Sequence, residues 1–200
     1  MGSGIGMAMG QAQAGYKDGK VLAVAGDSTF FHATLPAVVN AVYTQADISF
    51  LILDNSWTCM TGHQPNPTTG KNATGETTKV MDISKIVEII GITCIRIVDP
   101  YKIEESIQAI QEVIDFKGPS VVIFRHECAL QIQRRGKLKN PRTFIDRDKC
   151  TGCKQCLNLG CPTITFDKKN KIASIDSLLC VDCGLCNQIC SFRAITLKEE

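Results

Sequence analysis

The sequence predicts an α/β protein: a parallel sheet covered by helices, followed by a small α+β domain rich in cysteine. Three observations carry this. Short apolar runs alternate with stretches of helical periodicity between residues 20 and 124. A polar, partly basic stretch at 125–145 then interrupts the pattern. Beyond it, eight of the eleven cysteines crowd between Cys150 and Cys190.

The first sixteen residues read as a turn followed by a helix of small residues, with Ala8, Ala12 and Ala14 permitting close packing. Apolar runs bounded by turn residues then place strands at 21–25, 48–53, 93–98 and 120–124. Helical periodicity lies between them at 34–44, 84–90 and 103–116. In the last of these, Ile103, Ile107, Ile110 and Ile114 mark one face. Strands that are almost wholly apolar and separated by helices belong to a parallel sheet buried on both sides. Residues 55–79 are polar and rich in Thr, Gly, Pro and Asn. A loop of that length inside a compact domain is functional or disordered. Residues 1–128 are thus expected to form one domain, 129–143 a linker and 144–200 a second domain. Arg134, Arg135, Lys137, Lys139 and Arg142 make the linker region basic, as a solvated connector or as a docking surface for a subunit or an acidic partner.

Composition is ordinary for a soluble globular chain, at 44% hydrophobic and 21% charged. A formal charge of +2 argues against a nucleic-acid role. No apolar stretch reaches the length of a membrane span. The glycine-rich start, Met1 to Gly10, lacks the basic and apolar regions of a signal peptide. A cytoplasmic protein is expected.

Cysteine spacing carries the first chemical assignment. One unit reads Cys150-x2-Cys153-x2-Cys156-x4-Cys161-Pro162, and a second reads Cys180-x2-Cys183-x2-Cys186-x3-Cys190. Three thiolates at two-residue gaps wrap one [4Fe–4S] cubane, and the fourth normally ligates the other cluster. The expected sets are Cys150, Cys153, Cys156 and Cys190 for one cluster, and Cys180, Cys183, Cys186 and Cys161 for the other. Zinc needs four ligands per site and has no use for overlapping triplets. Disulfides fit neither this spacing nor the missing export signal. A segment this short gains its core from bound metal. The region resembles the bacterial-type two-[4Fe–4S] ferredoxins. It departs from them in the extra residue before Cys161 and in Ser191, which stands where proline follows the last cysteine.

The second assignment concerns the strand ends. Gly26-Asp27-Ser28 follows one apolar run directly, and Asp54-Asn55 follows the next, with twenty-five residues between Ser28 and Asp54. A carboxylate and an amide at neighbouring strand ends suit one hard cation such as Mg²⁺. Ser28, Thr29 and the amides opening the next helix suit a diphosphate. Alone, such residues are more often caps and turns. The separation resembles the thiamine-diphosphate motif, with Ser28 in place of its last glycine and Asp54 in place of its first asparagine. The resemblance puts Asp27, Asn55 and the Trp57 carbonyl on the metal, with Gly26 and Ser28 beside the diphosphate. Gly2-x-Gly4-x-Gly6 lacks the spacing and preceding strand of a dinucleotide fingerprint.

Longer stretches are similar to the alpha subunit of indolepyruvate:ferredoxin oxidoreductase. They are Met1 to Gly6, Gly26 to His32, Asn40 to Tyr43, Met60 to Pro65 and Cys128 to Leu130. The resemblance implies a partial thiamine-diphosphate-binding domain followed by a two-[4Fe–4S] ferredoxin domain. It implies oxidative decarboxylation of a 2-oxo acid, an aryl pyruvate such as indolepyruvate, with transfer of the acyl group to coenzyme A and of electrons to an external ferredoxin. It also implies a beta subunit and an upstream part supplying the pyrimidine-binding domain, since this chain holds only the diphosphate half. His32 and His63 are candidates to act on the substrate carbonyl, or structural histidines. Cys59, Cys94 and Cys128 read as packing residues. A bare electron-transfer module with a vestigial cofactor domain is the other functional class.

Overall fold

The computed structural model describes residues 1–136 and 142–198. They divide into two compact units, Met1–Cys128 and Ala129–Glu200.

The first unit is built on four parallel strands: β1 (Val21–Gly26), β2 (Ile48–Asp54), β3 (Cys94–Val98) and β4 (Ser120–Arg125). Their order across the sheet is β1-β2-β4-β3. In register, Gly26 stands beside Leu53 and Asp54 beside Arg125. The central strands β2 and β4 are buried along most of their bodies, whereas the edge strands leave Leu22 and Val24 of β1 and Arg96 and Ile97 of β3 exposed; three of the four carry polar or glycine residues at the C-terminal end. On one face lie α1 (Ser3–Gln13), α3 (Leu35–Tyr43) and α4 (Ile83–Ile90), which bury Ile5, Val38, Ile83 and Val87 against Phe50, Ile52 and Ile123. On the other lies α5 (Ile103–Asp115), against Val122 and Phe124.

The strands fall where the apolar runs place them. The face of α5 does so in part. Ile110 packs on the core and Ile103 and Ile114 are half-buried, but Ile107 is 62% exposed and the fully buried positions are Ala109 and Val113. The centre of the buried face lies beside the isoleucine stripe, on the smaller residues that approach the sheet most closely. Ala8 is buried and Ala12 packs on the core, whereas Ala14 is exposed. The helix predicted from residue 34 is continuous with two earlier turns: α2 (Asp27–Thr29) and a π-helical turn at Phe30–Thr34.

The C-terminal end of α5 is fastened by charge and hydroxyl groups. Lys20 Nζ donates to the carbonyls of Val113 and Gly118, each at 2.9 Å, and to that of Phe116. Ser49 and Ser120 hydroxyls also reach the Val113 carbonyl, at 2.9 and 3.1 Å. Helix-end carbonyls lack intrahelical donors and carry partial negative charge, so a buried ammonium suits them.

The second unit contains α6 (Ala129–Arg134), β5 (Arg142–Ile145), a 3₁₀ turn at Gln155–Leu159, β6 (Ile164–Asp167), β7 (Ile172–Ile175), α7 (Leu185–Ile189) and β8 (Ile195–Lys198). β5 pairs antiparallel with β8 and β6 with β7. Arg142 and Thr143 therefore belong to a ladder, where the sequence reading has a linker. Lys137 and Lys139 of the basic stretch lie outside the described residues. Cys156 and Cys186 share the core with Ile164, Ala173 and Ile195. No helix among the described residues is long and apolar enough to cross a membrane.

Candidate functional site

The β1 and β2 ends bring acidic groups together. Asp27 is 2% exposed and opens the helix directly after β1. Its Oδ1 accepts the Ser28 N–H at 2.6 Å, and its Oδ2 accepts the Thr68 hydroxyl at 3.2 Å. Among the described residues no lysine or arginine pairs with it. Burial pushes its carboxyl above the ordinary 3.8, against the Ser28 amide and with the Asp54 charge adding to the rise. A buried carboxylate held only by neutral donors is short of a cation.

The 55–79 loop folds back onto this carboxylate. The Asn66 Oδ1 accepts the Thr68 N–H at 2.8 Å, and the Thr69 hydroxyl donates to the Ser56 carbonyl. Asn66 lies beside Asp27 and pulls its carboxyl downward, although its buried Nδ2 meets no partner at full hydrogen-bond geometry. Asn66 and Thr68 were not legible as site residues, since a threonine-rich loop announces polarity and not its point of return.

Asp54 is treated differently. Arg125, its register neighbour on β4, donates from Nε to Asp54 Oδ2 at 2.8 Å and from NH2 to Asp82 at 3.0 Å. Asp54 Oδ1 is buried and has no hydrogen-bond partner among the described residues. Asp54, Thr68, Asp82 and Arg125 line a cleft of about 210 Å³ with Ser56, Val80 and Met81. Arg125 was also missed. A lone charge ending an apolar parallel strand was its available signal.

Of the remaining expected positions, Asn55 follows β2 and its Oδ1 accepts the Trp57 N–H at 3.0 Å. The Trp57 ring donates to Glu127 at 3.2 Å. Ser28 sits on the helix opened by Asp27. Gly26 has an ordinary φ of −77°, and a Cβ there would lie 3.9 Å from the Leu53 carbonyl oxygen. Neither its φ nor its surroundings demand glycine at that point. Carboxylate, amide and carbonyl oxygens at one sheet edge form a donor set for a hard cation. His32 lies exposed on the π-helical turn, and no described contact links it to Asp27.

His63 stands with two of the cysteines read as packing residues. Its Nε2 is 3.5 Å from Cys128 Sγ, and Cys59 completes a group within 4.8 Å. Burial, with the neighbouring Cys128 thiol, pushes the Cys59 thiol up to about 12. Cys94 is the packing residue expected, buried beneath α5.

In the second unit, Cys150, Cys153, Cys156 and Cys190 line one pocket with Ile145, Phe166 and Ile195. Burial raises the Cys156 thiol, with the other three adding to it. Cys186 is pushed up to about 11 by burial and then by Cys183 and Cys180. Cys161 Sγ lies 3.1 Å from the Thr163 hydroxyl. Among the described residues, none of these eight thiols belongs to a trio within 4.8 Å of one another. That spread exceeds a one-ion site and fits a larger group whose thiolates bind separate irons. Gly160, directly before Cys161, closes the 3₁₀ turn in the left-handed region at φ 67°. Ser191 donates to Gln155 at 2.9 Å, tying the end of the second motif to the 3₁₀ turn of the first.

Residues 1–124 match the C-terminal TPP binding domain of thiamine pyrophosphate enzymes, and residues 142–191 match a 4Fe-4S dicluster domain. The chain belongs to the thiamine pyrophosphate enzyme family, with the dicluster domain following that family's C-terminal cofactor domain. Within it, the chain is similar over its whole length to the indolepyruvate oxidoreductase subunit IorA of Pyrococcus horikoshii, with 39% identity over 217 residues, 100% of this chain and 33% of that one. The same subunit of Archaeoglobus fulgidus is 40% identical over 98% of this chain and 31% of its own. The chain thus spans about a third of the length of the curated relatives it matches. A solved 2-oxoglutarate:ferredoxin oxidoreductase from Magnetococcus marinus shares the fold at a TM-score of 0.57 and 17% identity, over 64% of this chain and 45% of that one.

Proposed function

We propose that this chain is the diphosphate-binding and electron-exit part of a 2-oxo acid:ferredoxin oxidoreductase. The observation that carries the reading is Asp27: a buried carboxylate with only neutral donors among the described residues, at the end of β1, in a chain that also holds two sets of cluster cysteines.

In this reading Asp27, Asn55 and the Trp57 carbonyl hold Mg²⁺, while Gly26 and Ser28 border the diphosphate. Thr68 and Asn66 keep the loop against the Asp27 carboxylate. Thiamine diphosphate, when bound, supplies the electron sink for decarboxylation. The protein groups named here bind and orient it and move no proton. Cys150, Cys153, Cys156 and Cys190 hold one [4Fe–4S] cluster, and Cys180, Cys183, Cys186 and Cys161 hold the other. They pass single electrons to an external ferredoxin.

Similarity to IorA supports an aryl pyruvate such as indolepyruvate as substrate and coenzyme A as acyl acceptor. The match to a third of the relatives' length supports further polypeptide in the complex; in this reading it supplies the pyrimidine-binding domain and a beta subunit, and the complex works in the cytoplasm.

Calorimetric titration of the cluster-loaded chain with thiamine diphosphate, with and without Mg²⁺, tests the reading. Binding should require Mg²⁺ and be lost in Asp27→Ala. Binding indifferent to both, or none, would favour a bare electron carrier.

A further inference from the structure

One cluster of side chains is used neither by the strand-end oxygens nor by the cysteines of the second unit. Sγ of Cys59, Sγ of Cys128 and a ring nitrogen of His63 lie within 4.8 Å of one another. Two of the three come from one tight turn. Cys59 opens the 3₁₀ turn Cys59–Thr61. His63 follows in the left-handed region, with φ 69°, and its N–H bonds to the Thr58 carbonyl at 3.0 Å. The Thr58–Gln64 bridge closes the loop around them. The third comes from far along the chain. Cys128 lies beyond β4, where its N–H donates to the Asn55 carbonyl at 3.1 Å.

Packing alone does not account for this group. Cys94 belongs to a hydrophobic cluster of the sheet, whereas Cys59 and Cys128 belong to none. A side-chain pair four positions apart in sequence on a tight turn, joined by one remote ligand, is an arrangement metal sites use. A left-handed non-glycine residue is costly unless its surroundings fix it. Here it delivers the imidazole to the two sulfurs.

We propose that Cys59, His63 and Cys128 form a binding site for a thiophilic divalent cation, with Zn²⁺ as the reference ion. Two thiolates and an imidazole are borderline-soft donors that suit Zn²⁺ and leave one tetrahedral position open. Binding releases the two thiol protons to solvent and changes no oxidation state. The ion ties the turn after β2 to the chain leaving β4, on either side of Asn55. It thereby holds the start of the 55–79 loop at the strand ends. The site uses none of Asp27, Asn55 or Trp57 as a ligand, although the Cys59 thiol lies beside the Asn55 side chain and within reach of the Asp27 charge.

The test uses the whole cluster-loaded chain, prepared without oxygen, washed with EDTA, given Zn²⁺ and desalted. Zinc and iron are measured together, so that zinc in place of cluster iron is seen as lost iron. The expected result is one zinc per chain at full iron content. Its X-ray absorption should show sulfur at about 2.3 Å and nitrogen at about 2.0–2.1 Å. Single Cys59→Ser, His63→Gln and Cys128→Ser chains should each bind zinc at least about tenfold more weakly with iron unchanged. Circular dichroism of each variant separates a lost ligand from a lost fold. No retained zinc in the native chain would overturn the proposal. So would zinc uptake undiminished in Cys128→Ser, or a Cys59–Cys128 disulfide found by mass spectrometry in the zinc-free native chain that persists after mild reduction.

Discussion

The Thr68 hydroxyl donates to Oδ2 of Asp27 at 3.2 Å, joining positions 41 residues apart. The same hydroxyl lies 2.7 Å from Asn66 Oδ1, so one proton is shared between a carboxylate and an amide. The contact holds the 55–79 loop on the end of β1. Thr68→Val keeps the volume and removes the donor. It should lower unfolding free energy by about 1–2 kcal/mol. It should also weaken Mg²⁺-dependent diphosphate binding about 5–10-fold, the equivalent of about 1 kcal/mol. Urea unfolding and calorimetry check the pair, and unchanged values would show that the loop does not depend on this bond.

Asp27 itself should display a conflict between stability and binding. Burial holds its carboxyl above 3.8, with the Asp54 charge adding and the Ser28, Asn66 and Thr68 donors opposing. For a raised carboxyl, stability is fully present below the unfolded value and is lost as pH rises through the folded one. At neutral pH the cofactor-free chain therefore carries an ionised, buried carboxylate at a cost. Asp27→Asn should raise its thermal midpoint at neutral pH and leave it little changed at pH 3. The same variant should lose the stabilisation that Mg²⁺ and thiamine diphosphate give the native chain. A lower neutral midpoint would contradict the argument.

Asp82 should titrate in the opposite sense. Burial works against its ionised form, but Ser84 and Arg125 outweigh it and hold the carboxyl below 3.8. A depressed carboxyl contributes stability that is present above the unfolded value and lost as pH falls through the folded one. Asp82 also caps α4 through the Ser84 N–H at 2.9 Å. Asn at this position keeps the cap and removes the charge. Asp82→Asn should cost less than about 1 kcal/mol at neutral pH, and Asp82→Ala about 1 kcal/mol more. The loss in Asp82→Asn should vanish at low pH, as followed by urea midpoints across the acid range.

Much of the first unit was legible because a buried parallel strand needs no alternation, only an apolar run between turns. The ends were less so. Gly26, Asp54 and Arg125 still pair in the ladder although none is apolar. The π-helical turn between Asp27 and α3 had no signature in the residues. At the site, Asp27 and Asn55 were visible through their separation, but the loop contacts were not. Thr68 meets Asp27 only because the chain closes over the sheet edge. Likewise Cys128 and His63 are 65 positions apart and share no spacing motif. The β5 strand was hidden inside a basic stretch because its partner, β8, lies at the other end of the unit. The cluster cysteines were the most legible feature, since their ligand spacing is local.

Lys20 offers a prediction about the fold alone. Its side chain is 4% exposed and is surrounded by carbonyls of the α5 end and the segment that follows, with Asp47 at 3.3 Å. The ammonium answers several acceptors that no backbone donor of α5 reaches. Lys20→Met keeps much of the stem and removes the charge, taking this donor from the Phe116 and Gly118 carbonyls while Val113 keeps the Ser49 and Ser120 hydroxyls. It should lower the unfolding free energy of the first unit by about 2–3 kcal/mol. Urea unfolding followed by far-ultraviolet circular dichroism measures this. A loss below about 0.5 kcal/mol would mean that water replaces the ammonium at little cost.

The pairing of cysteines between motifs can be read from a double substitution. Cys190 belongs to the second motif in sequence but lines the pocket of Cys150, Cys153 and Cys156. If it completes that set, Cys190→Ala alone should remove one cluster, taking iron from about eight to about four per chain. Cys156→Ala should do the same. Because both ligands would serve one cluster, Cys156→Ala combined with Cys190→Ala should still leave about four irons. Were Cys190 to complete the set of its own motif, the double variant would disable both sites, and iron would fall toward zero. Iron and acid-labile sulfide analysis of the three chains distinguishes the arrangements. Cys186→Ala combined with Cys190→Ala is the converse control: under the crossed pairing it removes a ligand from each cluster and should empty both, whereas under the uncrossed pairing it would leave about four irons.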